Sequence, residues 1–136
     1  MITKAFLRAL EEKQRRKWNM LYVAVDLHYT IIKGYTGDNI EVYPYAKEVL
    51  QKLSQSPEIT LILFTSSYAD ALTPFFSWCI QNNILFKYLN VNPECQNNKT
   101  GDFSQKFYYN VLIDDRAGFT PETDWELIQN MEALWT

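Results

Sequence analysis

The sequence predicts an α/β protein built on a mainly parallel sheet. Three observations carry that expectation. Val23-Ala24-Val25-Asp26, Ile59-Thr60-Leu61-Ile62-Leu63-Phe64 and Val111-Leu112-Ile113-Asp114 are near-continuous apolar runs, the pattern of strands buried on both faces. Segments of helical length and periodicity separate them, as the crossovers of parallel strands require. Two of the runs end on carboxylates, at the edge where open α/β sheets place their ligands.

Taken in order, Thr3 is placed to cap a first helix over residues 3–17, with Phe6, Leu7 and Leu10 as its buried stripe. A first strand is expected over 20–25. The stretch that follows, with Gly34 and Gly37, reads as a turn-rich flap over about 28–43. Pro44 suits the first turn of a second helix through Ala46, Val49, Leu50 and Leu53, broken at 54–57. The strand over 59–64 ends at Thr65-Ser66-Ser67. Residues 68–81 read as a helix that Pro74 kinks or breaks. A short strand is expected over 85–91, a polar loop over 92–103 and a fourth sheet strand over 108–113. A last helix covers 125–134, capped near Thr123 or Asp124. No repeat, low-complexity tract or linker divides the chain, so one domain over 1–136 is expected.

At 136 residues the chain can bury a substantial core. Its aromatic and apolar content excludes a disordered class. The net charge of −3 gives no general attraction to nucleic acid, although nucleic acid remains open as a partner. Lys4, Arg8, Lys13, Arg15, Arg16 and Lys17 make the first helix basic, a pattern that fits a solvated face better than an anionic partner. Cys79 and Cys95 have no metal-ligand or disulfide spacing, so a reducing compartment is expected. No apolar run approaches a membrane span and the first residues lack a signal-peptide layout. A cytoplasmic location is the expectation, with no membrane partner.

The chemistry lies in polar residues that follow or neighbour the strands: Asp26, Thr65 with Ser66, Lys106, and Asp114 with Asp115. Two strands that each deliver Asp to one edge concentrate negative charge that a hard cation relieves, which suggests Mg²⁺ held by Asp26 and Asp114. Asp115 either adds to that site or caps the turn after it. A carboxylate nucleophile at Asp26 would take a phosphoryl group as an aspartyl-phosphate. Thr65 or Ser66, at a helix N-terminus, would hold the phosphate. Lys106 would neutralise both Asp26 and the transferring group.

At these residues the chain resembles the haloacid dehalogenase superfamily of phosphohydrolases. Its pattern is an apolar strand followed by Asp-x-Asp-x-Thr/Val, then a Ser or Thr after a second strand, a Lys, and a strand ending in an acidic pair. Asp26 to Thr30, Thr65, Lys106 and Asp114-Asp115 stand in that order over most of the chain. Asn92-Pro93-Glu94, Lys106, Ile113-Asp114-Asp115-Arg116 and Asp124-Trp125 resemble more narrowly a small capless group of bacteria and their phages. Asp26-Leu27-x-Tyr29-Thr30 offers a weaker parallel to capless magnesium-dependent phosphatases. The resemblance implies a Rossmann-like three-layer α/β/α sandwich with adjacent first and fourth strands, and Mg²⁺ bound by Asp26, Asp114 and the backbone carbonyl of His28. The spacing leaves no room for an inserted cap domain. An open site of this kind suits a large or extended phosphate ester, or one covered by a second subunit.

Two departures from the family pattern matter. The second Asp, the family's general acid, is here His28, the chain's one histidine. Imidazole can in principle serve as acid and base near neutral pH. Ser66-Ser67 stands where the closer relatives carry Cys-Arg. A phosphohydrolase is therefore expected first. The alternative is a weak or inactive metal- and phosphate-binding protein that acts through a partner. A response-regulator receiver also combines Asp, Thr/Ser and Lys, but places its acidic pair after the first strand.

Overall fold

The computed structural model describes residues 1–95, 101 and 106–135. Residues 96–100 and 102–103 of the expected polar loop lie outside the described residues. In chain order, α1 (Ile2–Arg16) leads to β1 (Leu21–Asp26). A hairpin follows, β2 (Ile32–Thr36) and β3 (Asn39–Val42), and then α2 (Ala46–Gln55) and β4 (Ile59–Phe64). A 3₁₀ turn (Ala69–Leu72), α3 (Thr73–Gln81), β5 (Tyr88–Leu89) and β6 (Val111–Ile113) come next. A second 3₁₀ turn (Asp115–Ala117), α4 (Pro121–Gln129) and α5 (Glu132–Trp135) complete the order.

Among the described residues, four strands form one parallel sheet in the order β5-β4-β1-β6. The central strand β1 pairs with β4 from Leu21↔Ile59 to Asp26↔Phe64, and with β6 from Val23↔Val111 to Val25↔Ile113. The chain therefore steps outward from β1 to β4 and β5, then returns to the far side of β1. That reversal makes the β1/β6 boundary a switch point, where the strand ends open a crevice. The fold is the α/β class the apolar runs predict, with five helices among the described residues and a sheet compatible with a Rossmann-like three-layer arrangement.

The core explains why the strands hold. Val23, Val25, Leu61, Leu63 and Ile113 are buried in one cluster with Phe6, Leu50, Leu53 and Trp125. Fully burying one such side chain is worth about 1.5–3 kcal/mol. Helix α2 packs on β4 and α4, while α1 packs on β1, β6 and α4.

Several element boundaries differ from expectation for local reasons. Thr3 lies inside α1, whose N-cap is Met1, and the buried stripe is Ile2, Phe6 and Ala9. Those positions follow the i, i+4, i+7 track, which leaves Leu10 half-buried and Leu7 exposed. Pro44 precedes α2, because Tyr45 at φ 68° is its N-cap and a left-handed residue cannot belong to a right-handed helix. The segment over 68–81 does break at Pro74, which sits in the first turn of α3 where its missing N–H is not needed.

The expected strand over 85–91 shrinks to Tyr88–Leu89. The expected start of β6 at 108 moves to Val111. Its ladder is extended by the Asn110 side chain, whose Oδ1 accepts the Tyr22 N–H at 2.8 Å while the Asn110 N–H reaches the Tyr22 carbonyl. The last helix begins earlier, at Pro121 after the N-cap Thr120, and is interrupted after Gln129. Asp124, expected as a cap, instead accepts the Thr120 N–H from within the helix. The flap is the antiparallel β2–β3 hairpin, turned at Gly37 with φ 63°.

The basic helix is partly neutralised within the fold. Glu12 binds both Arg15 and Arg16, and Lys13 reaches Glu58 at 3.0 Å. No helix among the described residues is long and apolar enough to cross a membrane.

Candidate metal and phosphate site

The crevice at the switch point is built from the ends of β1 and β6. After Asp26 the chain folds back on itself, and the Leu27 carbonyl accepts the N–H groups of Ile31 and Ile32 at 2.9 and 3.0 Å. Tyr29 takes a left-handed φ of 64°, with its N–H on the Ile32 carbonyl at 2.8 Å. This tight loop drives Thr30 inward until it is fully buried.

Thr30 joins the two strand ends. Its hydroxyl lies 2.9 Å from Asp26 Oδ2 and 3.1 Å from Asp115 Oδ1, and it accepts the Asp115 N–H at 3.0 Å. Its carbonyl accepts the indole N–H of the buried Trp125 at 2.8 Å. A hydroxyl has one proton to donate. It serves one of the two carboxylates at a time, and the other needs a proton or a cation.

Asp26, Asp114 and Asp115 each bring a carboxylate oxygen within 4.8 Å of the others. Burial is the main cause that pushes the Asp26 carboxyl up to about 6. The Asp114 charge adds to the rise, while the bonds from Thr30 and the Leu27 N–H oppose it. Asp114 Oδ1 also caps the following 3₁₀ turn by accepting the Arg116 N–H at 2.9 Å. A cluster of half-buried carboxylates short of donors fits a hard divalent cation with oxygen ligands.

The cleft around these acids has a volume of about 520 Å³, and His28, Thr65 and Ser66 also line it. His28 is half-buried, with Nε2 3.0 Å from the Tyr35 hydroxyl on the hairpin. Thr65 and Ser66 follow β4 as expected, but without the helix N-terminus expected there. The next helical turn begins at Ala69 and α3 at Thr73. The Thr65 hydroxyl instead accepts the Ser67 N–H at 3.2 Å in a local turn. Lys106 is not brought into the cleft. It is exposed, with its ammonium 5.8 Å from the centre of the Tyr109 ring.

Asn90 is a cleft residue that the sequence reading missed. Its side-chain amide pairs with both backbone groups of Thr65, at 2.9 and 2.8 Å, and so fixes the end of β4. The available signal was an Asn directly after a strand, a residue type that tolerates the φ of 58° found there. Phe64 and Arg116 also line the cleft. Asn92 and Glu94 shape the loop before β6. Asn92 holds the Tyr108 carbonyl at 2.9 Å, and Glu94 binds Lys87 at 2.6 Å.

No family model matches the chain, and no curated protein matches it. A solved structure does, described as the "conserved protein coded by locus from Bacteroides thetaiotaomicron". The two are 30% identical, with a TM-score of 0.62, and the match covers 87% of this chain and 93% of that one. At 30% identity on a common α/β frame, over nearly the whole of both chains, this protein belongs to the same family as that conserved Bacteroides protein.

Proposed function

We propose that the protein is a Mg²⁺-dependent phosphomonoesterase of the haloacid dehalogenase type. The observation that carries this reading is the convergence of Asp26, Asp114 and Asp115 at the switch point of a parallel sheet. Asp26, Asp114 and Asp115, with the His28 carbonyl, would hold Mg²⁺, which when bound screens the carboxylates and polarises the phosphoryl oxygens.

Asp26 is the nucleophile. Its carboxylate oxygen forms a bond to phosphorus as the bond from phosphorus to the ester oxygen breaks. The departing alkoxide takes a proton from His28. Water then attacks the aspartyl-phosphate, gives up a proton to His28, and releases phosphate while the Asp26 carboxylate is restored. Thr65 and Ser66 face the same cleft and contribute hydroxyl donors to the phosphate.

The test is hydrolysis of an aryl phosphate in Mg²⁺ and in EDTA. Turnover that requires Mg²⁺ and vanishes in Asp26→Asn is expected. Full activity in that variant would sink the reading.

A second reading is a phosphate- and metal-binding protein with little turnover, acting through a partner. Two observations favour it: Lys106 stands outside the cleft, and the His28 ring is engaged by Tyr35. Under this reading beryllofluoride would bind in the presence of Mg²⁺ without hydrolysis of any ester, and His28→Asp would raise turnover.

A further inference from the structure

We propose that the cleft takes a nucleotide, a phosphate monoester whose base stacks against Phe64 and Tyr29. This rests on the phosphate site proposed above and names the class of ester it serves.

Phe64 is the last residue of β4 and stands in register with Asp26. The five residues before it are buried, yet Phe64 is 41% exposed and lines the cleft. Its ring is braced from one side by Phe107, edge-on at 5.6 Å, and Phe107 is braced in turn by Tyr109 at 5.8 Å. A braced ring is a stacking platform that loses little freedom when a ligand covers it.

Tyr29 lines the same cleft and is 65% exposed. Its left-handed backbone is unusual for an aromatic residue. The bond from its N–H to Ile32 holds it there, three residues after Asp26. Two aromatic side chains, Phe64 at the end of β4 and Tyr29 in the loop after β1, thus remain in water beside the carboxylates, although every other large apolar side chain of the two strands is covered or half-covered.

The ligand that covers them must be flat and apolar at one end. The other end must be anionic, since it meets the Arg116 side chain and the acidic cluster that Mg²⁺ would occupy. Among the described residues the Arg116 guanidinium has no carboxylate partner. Sugar phosphates and phosphoserine meet the second condition and leave both rings wet. A nucleotide meets both, and a cleft of about 520 Å³ is of the size that encloses small ligands.

The experiment is calorimetric titration, in Mg²⁺, with adenosine monophosphate and with glycerol phosphate, alongside hydrolysis of both. Binding of the nucleotide about tenfold tighter or more is expected from base–aromatic stacking. Phe64→Leu, which keeps apolar bulk against Phe107, and Phe64→Ala should each cut that ratio several-fold. Equal affinity for the two esters, or a ratio unchanged in a folded Phe64 variant, would overturn the proposal. Base-selective binding without hydrolysis would remove the phosphatase reading and leave this one standing. Hydrolysis without base selectivity would do the reverse. A 5′-phosphorylated tetranucleotide in a third arm separates a strand end, if it binds more tightly, from a free nucleotide.

Discussion

Thr30 concentrates more of the site's energetics than any other single residue. Its one buried hydroxyl stands between two half-buried carboxylates and also accepts the Asp115 N–H. Replacing it with Val keeps the shape and strands these groups, a loss of about 1–3 kcal/mol for a buried polar group without its partner. Thr30→Val should therefore lower the unfolding free energy measured by denaturant titration in EDTA by that amount, while Thr30→Ser, which keeps the hydroxyl, should retain most of the stability. Asp26 gives a second prediction at this scale. Its folded carboxyl titrates near 6, chiefly because of burial, against 3.8 as the unperturbed value. The folded state thus binds the proton more tightly than the unfolded chain. The resulting stabilisation is complete below about pH 4 and lost as pH rises through 6. In EDTA, Asp26→Asn should melt higher than the wild type at pH 8, and the difference should close by pH 4. A thermal-melt series across that range decides it, and a gap that widens on acidification would contradict the assignment.

At the scale of elements, the site loop and α4 behave as one unit because the Trp125 indole N–H holds the Thr30 carbonyl. Trp125→Phe removes that donor and should cost roughly 1–3 kcal/mol. It should also loosen the loop that carries Asp26, so Mg²⁺ should protect the variant from heat less than it protects the wild type. Equal protection of both would show that the helix does not set the loop. How far these elements could be read from the chain follows from what defines them. The strand over 59–64 is right to the residue, because continuous burial on both faces leaves a continuous apolar run. The expected edge strands were too long. At 108–110 the Asn110 side chain supplies the pairing, which no apolar pattern encodes. The two capping expectations failed alike, since Thr3 and Asp124 look like caps but lie inside helices that begin at Ile2 and Pro121. The acidic cluster was legible because strand ends fix it. The setting of Lys106 was not, since a loop position depends on tertiary packing and spacing in the sequence does not determine it. Asn90 was invisible for a related reason, because its role is to pair with a backbone 25 residues away.

At the scale of the whole molecule, the sheet order turns three separate carboxylates into one latent cost. β1 and β6 are neighbours only because the chain reverses direction at β1, so the charges of Asp26, Asp114 and Asp115 meet only in the folded state. In the unfolded chain Asp26 is far in sequence from the other two. A cation that bridges them binds the folded form alone and stabilises it by mass action. At a concentration of about 100 times its dissociation constant, that amounts to about 2.7 kcal/mol. For a domain of this size the melting temperature should rise by on the order of 10 °C. The rise should grow with the logarithm of Mg²⁺ concentration once the site is saturated. It should shrink as pH falls below about 6, where the Asp26 carboxyl, kept up mainly by burial, takes a proton in place of the metal. Asp114→Asn should abolish most of it by removing one charge of the cluster. A shift that persists undiminished in Asp114→Asn would place the cation elsewhere on the protein. A shift that follows ionic strength and is reproduced by Na⁺ would reduce it to screening of surface charge.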